Sequence, residues 1–283
     1  MSIKYVEYEI ILRTESPFRV GRKKDPFTTI EQPIIMIGNR VVIPGTTLKG
    51  ALREAIERYL IEKYSGKRGM RPCLPATPQT VTPDEIELIL RGKYKGSGCH
   101  YPCTPHNQSN RRCKHVIMSG GKEHWAAEER EKGLHYICPA CYLLGAQGLV
   151  GFVTVPFLYA DVTPYELPAL RIDRGKGTVA TGIYGTYRTY QVVPQGAEFR
   201  GVLRILLEDP IKGWKLGEPR PLKDRTLGDL WLKENPEWKD SEKIINELVI
   251  GRLESIRRLG GFKSQGTGYV KIEVKKLKPE SEQ

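Results

Sequence analysis

The segment GGFKSQGTGYVKIEV, from Gly260 to Val274, joins a glycine-rich loop to an alternating run that is typical of a strand. Glycines occupy positions 260, 261, 266 and 268. Because glycine has no Cβ, its backbone can adopt positive φ and approach a ligand closely. Lys263, Ser264 and Gln265 add a cation and neutral hydrogen-bonding groups. The loop is suited to holding a phosphate through main-chain amides, although the pattern is also typical of a plain turn.

Strand-like and helical segments alternate along the rest of the chain. Tyr5 to Leu12 alternates like a strand, and the runs 34–37 and 40–43 flank a Gly-Asn turn as in a hairpin. Helical periodicity runs from about residue 46 to 64, with Thr46 or Thr47 as the expected N-cap, and again from 241 to 259. This order predicts an α+β fold around an antiparallel sheet, in one domain spanning residues 1–283. Residues 221–240 are predicted to be a polar connection.

Composition favours a polyanionic partner. The formal net charge is +12 and the pI is about 9.4, which favours nucleic acid before a membrane surface. No apolar run is long enough to span a bilayer, and the first residues lack a signal-peptide core. We therefore expect a cytoplasmic protein, in whose reducing compartment closely spaced cysteines indicate metal binding. The alternative is a merely basic surface.

A zinc site is predicted from the cysteine spacing. Cys138 and Cys141 are separated by two residues, as in a zinc knuckle, and one tetrahedral ion needs two further ligands. Candidates for these are Cys99, Cys103 and Cys113, with His115 as the best substitute. A structural zinc would stabilise an insertion at 65–141 that has few apolar residues of its own. The alternative is a set of unligated cysteines in a loop.

Three further segments have the chemistry of an RNA interface. The start of the first helix offers anion-binding groups, namely Gly45, Thr46, Thr47, Lys49 and Arg53. A predicted hairpin within 171–190 mixes cations with aromatic rings, which suits single-stranded RNA; its candidates are Arg171, Arg174, Tyr187 and Arg188. Arg19 and Arg22 precede a loop with carboxylates at Asp25 and Glu31, and a carboxylate beside RNA could hold a divalent metal. An ordinary capped helix, a bare hairpin and a solvated loop are the plain alternatives.

Taken together, four stretches resemble the RAMP superfamily of CRISPR-associated proteins. They are IPGTTLKGALR at 43–53, CPACYLLGAQGLVG at 138–151, RIDRGKGTVATG with VVPQGAEF at 171–199, and the terminal GGFKSQGTG loop. More narrowly, their order resembles the backbone subunits of type III (Csm/Cmr-type) effector complexes. The resemblance covers nearly the whole chain.

The resemblance implies a ferredoxin-like, RRM-like core that assembles as a filament along CRISPR RNA. Residues 65–141 would then be a zinc-containing lid insertion, and 161–190 a thumb-like hairpin. Its partners would be the guide RNA, the target RNA, further copies of the chain and other effector subunits. Guide contacts would come from Lys49 and Arg53 in the first helix and from Gly261, Lys263, Ser264, Gln265, Gly266 and Gly268 in the glycine-rich loop.

The resemblance leaves catalysis open. Active members carry an aspartate in a D-x-P context that cuts target RNA with a divalent metal such as Mg²⁺, and this chain has Glu31-Gln-Pro33 there. Glutamate is longer by one methylene, and an ångström of misplacement can cost about 100-fold in rate. Asp25 is the backup. Two other functions compete with the backbone role: a guide-processing endoribonuclease, and a zinc-stabilised RNA-binding protein outside CRISPR. The endoribonuclease is disfavoured because all five histidines lie between His100 and His135.

Overall fold

The computed structural model describes residues 2–22, 32–64, 70, 72, 138–145, 150–169, 172–173, 178–179, 188–222, 225–227 and 230–278. The main sheet has eight strands: β1 (Lys4–Thr14), β2 (Met36–Ile37), β3 (Arg40–Ile43), β4 (Val153–Thr154), β5 (Leu158–Ala160), β10 (Glu198–Asp209), β11 (Trp214–Lys215) and β14 (Val270–Lys276). Three two-stranded sheets pair β6 (Tyr165–Ala169) with β9 (Arg188–Val192), β7 (Ile172–Asp173) with β8 (Thr178–Val179), and β12 (Arg220–Leu222) with β13 (Arg225–Leu227).

Four helices are described. They are α1 (Gly45–Tyr64), α2 (Pro139–Leu144), α3 (Leu230–Glu234) and a composite helix α4, which consists of Ser241–Lys243, a π-helical Ile244–Ile250 and Gly251–Glu254. Two short 3₁₀ turns, Pro236–Trp238 and Lys263–Gln265, precede α4 and β14 respectively. Within the part of the chain that the structure describes, no helix is both long and apolar enough to cross a membrane.

The strand order of the main sheet is β14-β1-β10-β5-β3-β2, and every pair in it is antiparallel. With α1 before β5 and α4 before β14, the first four strands have the order of a β-α-β-β-α-β core. The β2–β3 hairpin extends the edge beyond β5. The predicted combination of helices with a large antiparallel sheet is therefore confirmed, and the hairpin lies where the sequence predicts it.

The core lies between one face of this sheet and the helices α1 and α4. Even-numbered residues of β1, such as Ile10 and Leu12, are buried there, as the alternating pattern predicts. Leucines and isoleucines at helical spacing on α1 pack against them: Leu48, Leu52, Ile56 and Leu60. Helices α1 and α4 therefore lie on the same face of the sheet, and the chain runs from α4 through the glycine-rich loop into the edge strand β14. This path places the glycine-rich loop beside the start of α1.

Two local expectations are wrong. Helix α1 begins at Gly45, and the carbonyl of Pro44 already accepts from the amides of Thr47 and Leu48, so the threonines lie inside the first turn and not at the N-cap. Residues 221–240 are not simply polar, because Trp231 and Trp238 there are fully buried against the core. The isolated tryptophans give no periodicity, so a window average over their polar neighbours hides them.

Most of the predicted insertion at 65–141 lies outside the described residues, apart from Met70, Pro72 and the cysteine-containing start of α2. At 161–190 the chain forms the paired strands β6–β9 and β7–β8, while residues 170–171, 174–177 and 180–187 are not described. The lid and thumb assignments therefore stay predictions.

Candidate nucleic-acid interface

A groove of about 410 Å³ separates the first turns of α1 from the glycine-rich loop. Four of its lining residues, Thr46, Thr47, Gly261 and Lys263, come from the predicted site. Groups from three chain segments line it: Val20 and Gly21 after β1, Thr46, Thr47, Gly50, Ala51 and Glu54 on α1, and Leu259, Gly260, Gly261 and Lys263 before β14. The structure thus brings together two motifs that lie more than two hundred residues apart in sequence.

Main-chain hydrogen bonds fix the glycine-rich loop to the segment that follows β1. The amide of Gly261 donates to the carbonyl of Arg19 (2.8 Å), and the amide of Gly268 donates to the carbonyl of Pro17 (2.9 Å). Thr267 closes the loop from inside, because its Oγ1 donates to the carbonyl of Gly261 (2.8 Å). The loop wall of the groove is therefore held by backbone contacts to a neighbouring segment.

The glycines make this close contact possible. Gly260 has φ of 87°, and a Cβ at that position would lie 2.3 Å from the carbonyl oxygen of Arg19. Phe262 also has positive φ (56°), the only non-glycine residue with positive φ in the described part of the chain. Such a conformation costs a bulky residue about 1–2 kcal/mol. Its ring packs edge-on against Tyr190, with centroids 5.2 Å apart.

Arg19 lies directly behind the wall of the groove, next to the lining residues Gly21 and Gly261, and forms no salt bridge with any residue that the structure describes. Its side chain is only 8% exposed, and its Nε has no hydrogen-bond partner among the residues that the structure describes. The guanidinium stacks on Phe262, 4.9 Å from the ring centroid, and a Cβ at Gly21 would lie 2.5 Å from its Nη2. Burial lowers the pKa of Arg19. Because an unpaired buried cation is costly, an anion in the groove would be stabilised here.

Gly50 gives an independent indication of a ligand. It lies inside a 20-residue helix, it is exposed, and a Cβ added there would meet no atom within 4 Å. Glycine inside a helix costs about 1 kcal/mol relative to alanine, and no packing requirement explains it here. Close approach of a ligand backbone to the floor of the groove would require it.

Lys49 and Arg53 share a face of α1, as their spacing predicts, but this face meets α2 and not the groove. Arg53 donates from Nη1 to Glu57 (3.5 Å) and to Cys141 Sγ (3.4 Å), and from Nη2 to the carbonyl of Gly145. Burial, followed by the neighbouring Arg53, lowers the pKa of Lys49. Burial raises the pKa of Glu57 to about 7, against the opposing effect of Arg53. The guanidinium predicted to bind phosphate is already used to hold α2 on α1.

The other predicted contacts fall into three groups. Gly45 and Gly268 are buried, and each allows a backbone carbonyl to approach within 2.6 Å or less of the missing Cβ, so both are packing positions. Ser264, Gln265, Gly266 and Arg22 are exposed but are not among the residues that line the groove. Outside the described residues lie Asp25, Glu31, Arg171, Arg174 and Tyr187, and of Arg188 only the backbone, at the start of β9, is described.

Cys138 and Cys141 are both fully buried at the start of α2. Their two-residue spacing and thiol chemistry fit two ligands of a zinc ion. The remaining candidates, Cys99, Cys103, Cys113 and His115, lie outside the described residues. Within the described ranges, no cluster of three or more potential metal ligands is found.

The sequence does not reveal the small residues that line the groove, nor the one carboxylate among its lining residues. Gly21, Gly50, Ala51 and Glu54 line the groove, yet none was predicted as a site residue. Gly50 could have been found, because an isolated glycine inside a strong helical pattern has a stability cost that calls for a reason. Glu54 could not, because an exposed acidic residue on a helix looks like any solvated charge.

The face of the sheet that is not covered by α1 and α4 is poorly suited to bind a polyanion, because its cations are paired with carboxylates. Along β1 and β10, Arg204 pairs with Glu7 (2.6 Å) and Arg200 with Glu9 (2.9 Å). Further ion pairs extend across this face: Lys4–Glu208, Arg13–Glu198, Arg40–Asp161 and Lys271–Glu273. These cations are already neutralised, whereas Arg19, next to the groove, has no ion-pair partner among the described residues. The groove is therefore the better candidate interface.

The structure is thus that of an α+β protein with a large antiparallel sheet and a groove between its first helix and its glycine-rich loop. A model of the RAMP superfamily matches residues 11–271, so the chain belongs to that superfamily. The large antiparallel sheet fits the RAMP fold, and membership suggests a CRISPR-associated role in RNA binding. The curated proteins contain no match to the chain.

Proposed function

We propose that this protein is a CRISPR RNA-binding backbone subunit of a type III interference complex. Several copies would assemble along the guide RNA, pair it with target RNA, and contact other effector subunits. The observation that carries the proposal is the groove between α1 and the glycine-rich loop, with the buried Arg19 directly behind its wall and without an ion-pair partner in the described part of the chain. The net charge of +12 supports the same class of partner.

In this proposal one or two backbone phosphates lie between the start of α1 and residues 260–263. The amide end of a helix favours an anion, and Lys263 and Arg19 would supply positive charge from the loop side. The absence of a side chain at Gly50 would let the sugar–phosphate backbone approach the helix. Such contacts bind RNA without reading its sequence, as a subunit repeated along a guide requires.

Gly50→Leu tests this proposal. Leucine favours a helix by just under about 1 kcal/mol over glycine, so the variant should be at least as stable as the wild type. Its side chain would nevertheless fill the groove, and affinity for a single-stranded RNA of fixed sequence should fall about tenfold or more, as expected for loss of about 1.4 kcal/mol. The matched control is Glu62→Leu, at an exposed position of α1 that does not line the groove.

Wild-type binding should also weaken as salt rises, with a log–log slope of about −1.4 if two phosphates are neutralised. A Gly50→Leu protein with unchanged affinity would place RNA elsewhere on the molecule. Sequencing of RNA that co-purifies from the native host then tests the pathway: guides with a common repeat-derived end support the type III role, and heterogeneous cellular RNA contradicts it.

A structural zinc ion is part of the same proposal. Cys138 and Cys141 would hold it at the base of the insertion, together with two of Cys99, Cys103 and Cys113, and His115 is the best substitute for one of these two. Metal analysis of the purified protein should give about one zinc per chain. Cys141→Ser should lower that content strongly, while Cys73→Ser should leave it unchanged. Zinc retained at the wild-type level in Cys141→Ser would contradict the ligand assignment.

A further inference from the structure

We infer that Glu54 reads the ribose 2′-hydroxyl of the nucleic acid in the groove and so makes the site selective for RNA. This inference rests on the proposed function, because it requires that a nucleic-acid backbone occupies the groove. It adds a discriminating residue on α1 that the phosphate contacts alone do not supply.

Glu54 lies on the same face of α1 as the other helical lining residues. Thr47, Gly50 and Glu54 are spaced by three and four residues, which aligns them along one side of the helix. All three line the groove, and the carboxylate is followed one turn later by Arg58. Glu54 therefore lies one turn after Gly50, where no side chain covers the helix backbone.

The carboxylate is held in place and keeps acceptor capacity. Its Oε1 accepts from Arg58 Nη2 at 2.6 Å, and Arg58 is the partner that the described residues provide. Glu54 lines the groove and its side chain is 55% exposed, so the carboxylate can still accept a hydrogen bond from a ligand there. An ionised carboxylate can only accept hydrogen bonds, and each oxygen offers two sites.

A carboxylate is the wrong charge for binding phosphate, so its position beside the anion site needs a different ligand group. Phosphate and deoxyribose present no hydrogen-bond donor along the strand. The 2′-hydroxyl of ribose does, and it is the group by which a protein can distinguish RNA from DNA at one position. Glu54 would repel a backbone that lacks this donor and accept a charge-assisted hydrogen bond from one that has it.

The test compares RNA with 2′-fluoro RNA of the same sequence. The fluoro sugar keeps the bases and the RNA-like sugar conformation but cannot donate, so contacts from Glu54 to base amino groups would give no difference. Hydrogen bonds to charged groups contribute about 1.5–3 kcal/mol, so the wild type should bind RNA about tenfold or more tightly than 2′-fluoro RNA. Glu54→Ala should bring the two affinities together, mainly because binding of 2′-fluoro RNA improves.

Two variants separate this role from a structural one. Glu54→Gln keeps a carbonyl acceptor and should retain part of the preference, whereas Glu62→Ala, exposed and outside the groove lining, should retain all of it. Equal wild-type affinity for the two strands would overturn the inference while leaving the phosphate site intact, and so would an unchanged preference in Glu54→Ala. Failure of the wild type to bind either strand would overturn the proposed function, and the inference with it.

Discussion

Gly260→Ala is expected to destabilise the protein by about 3 kcal/mol or more and to abolish RNA binding in the groove. The backbone at Gly260 has φ of 87°, which an alanine adopts at a cost of about 1–2 kcal/mol. The new Cβ would also lie 2.3 Å from the carbonyl oxygen of Arg19. That oxygen belongs to rigid backbone and accepts the amide of Gly261, so relief of the clash would break the contact that positions the loop.

Gly266→Ala is the matched control for this variant. Gly266 belongs to the same loop and has φ of 83°, but a Cβ there would meet no atom within 4 Å. Only the backbone cost of about 1–2 kcal/mol should therefore appear. Urea unfolding and RNA titration of both variants give the comparison. Equal losses of stability in the two variants would mean that the contact with Arg19 does not hold the loop. Unchanged RNA binding in Gly260→Ala would mean that the loop is not part of the RNA interface.

Much of the fold could be predicted from sequence because its elements have a strong period. Tyr8, Ile10 and Leu12 alternate on β1, and Leu48 and Leu52 repeat at helical spacing on α1, so each element reveals which face is buried. Such patterns do not reveal an isolated buried side chain. Trp231 and Trp238 lie among polar residues, and their burial follows from packing against elements distant in sequence.

The candidate site was predictable only in part, because sequence gives residue types and not their orientation. Lys49 and Arg53 were correctly placed on one face of α1, but which neighbour that face meets depends on where α2 packs. A cation near the start of a helix can donate to a phosphate or to a backbone carbonyl, and the sequence does not show which. In the structure Arg53 donates to the carbonyl of Gly145. The glycine-rich loop was easier to predict, since positive φ and close backbone contacts leave glycine almost no substitute.

The same packing gives Glu57 an expected effect on stability that depends on pH. Glu57 is 9% exposed, and burial raises its pKa to about 7 from an ordinary value of 4.5. Since the folded state holds the proton more tightly than the unfolded state, the protein loses stability as pH rises from about 4.5 through 7. A shift of this size corresponds to about 3 kcal/mol between pH 4 and pH 8. Glu57→Gln, which cannot ionise, should remove this loss.

The difference in free energy of unfolding between Glu57→Gln and the wild type should therefore be about 3 kcal/mol larger at pH 8 than at pH 4, in favour of the variant. A difference in free energy of unfolding that is already present at pH 4 reports the altered contact with Arg53, because Glu57 is protonated there in the folded wild type. Glu54→Gln is the control, because Glu54 is exposed and pairs with Arg58 at the surface, where an ion pair contributes under about 1 kcal/mol. If the difference between Glu57→Gln and the wild type does not grow with pH, then the Arg53 guanidinium compensates the buried carboxylate fully. The contact between α1 and α2 would then be a balanced ion pair, and burial of Glu57 would cost the fold nothing.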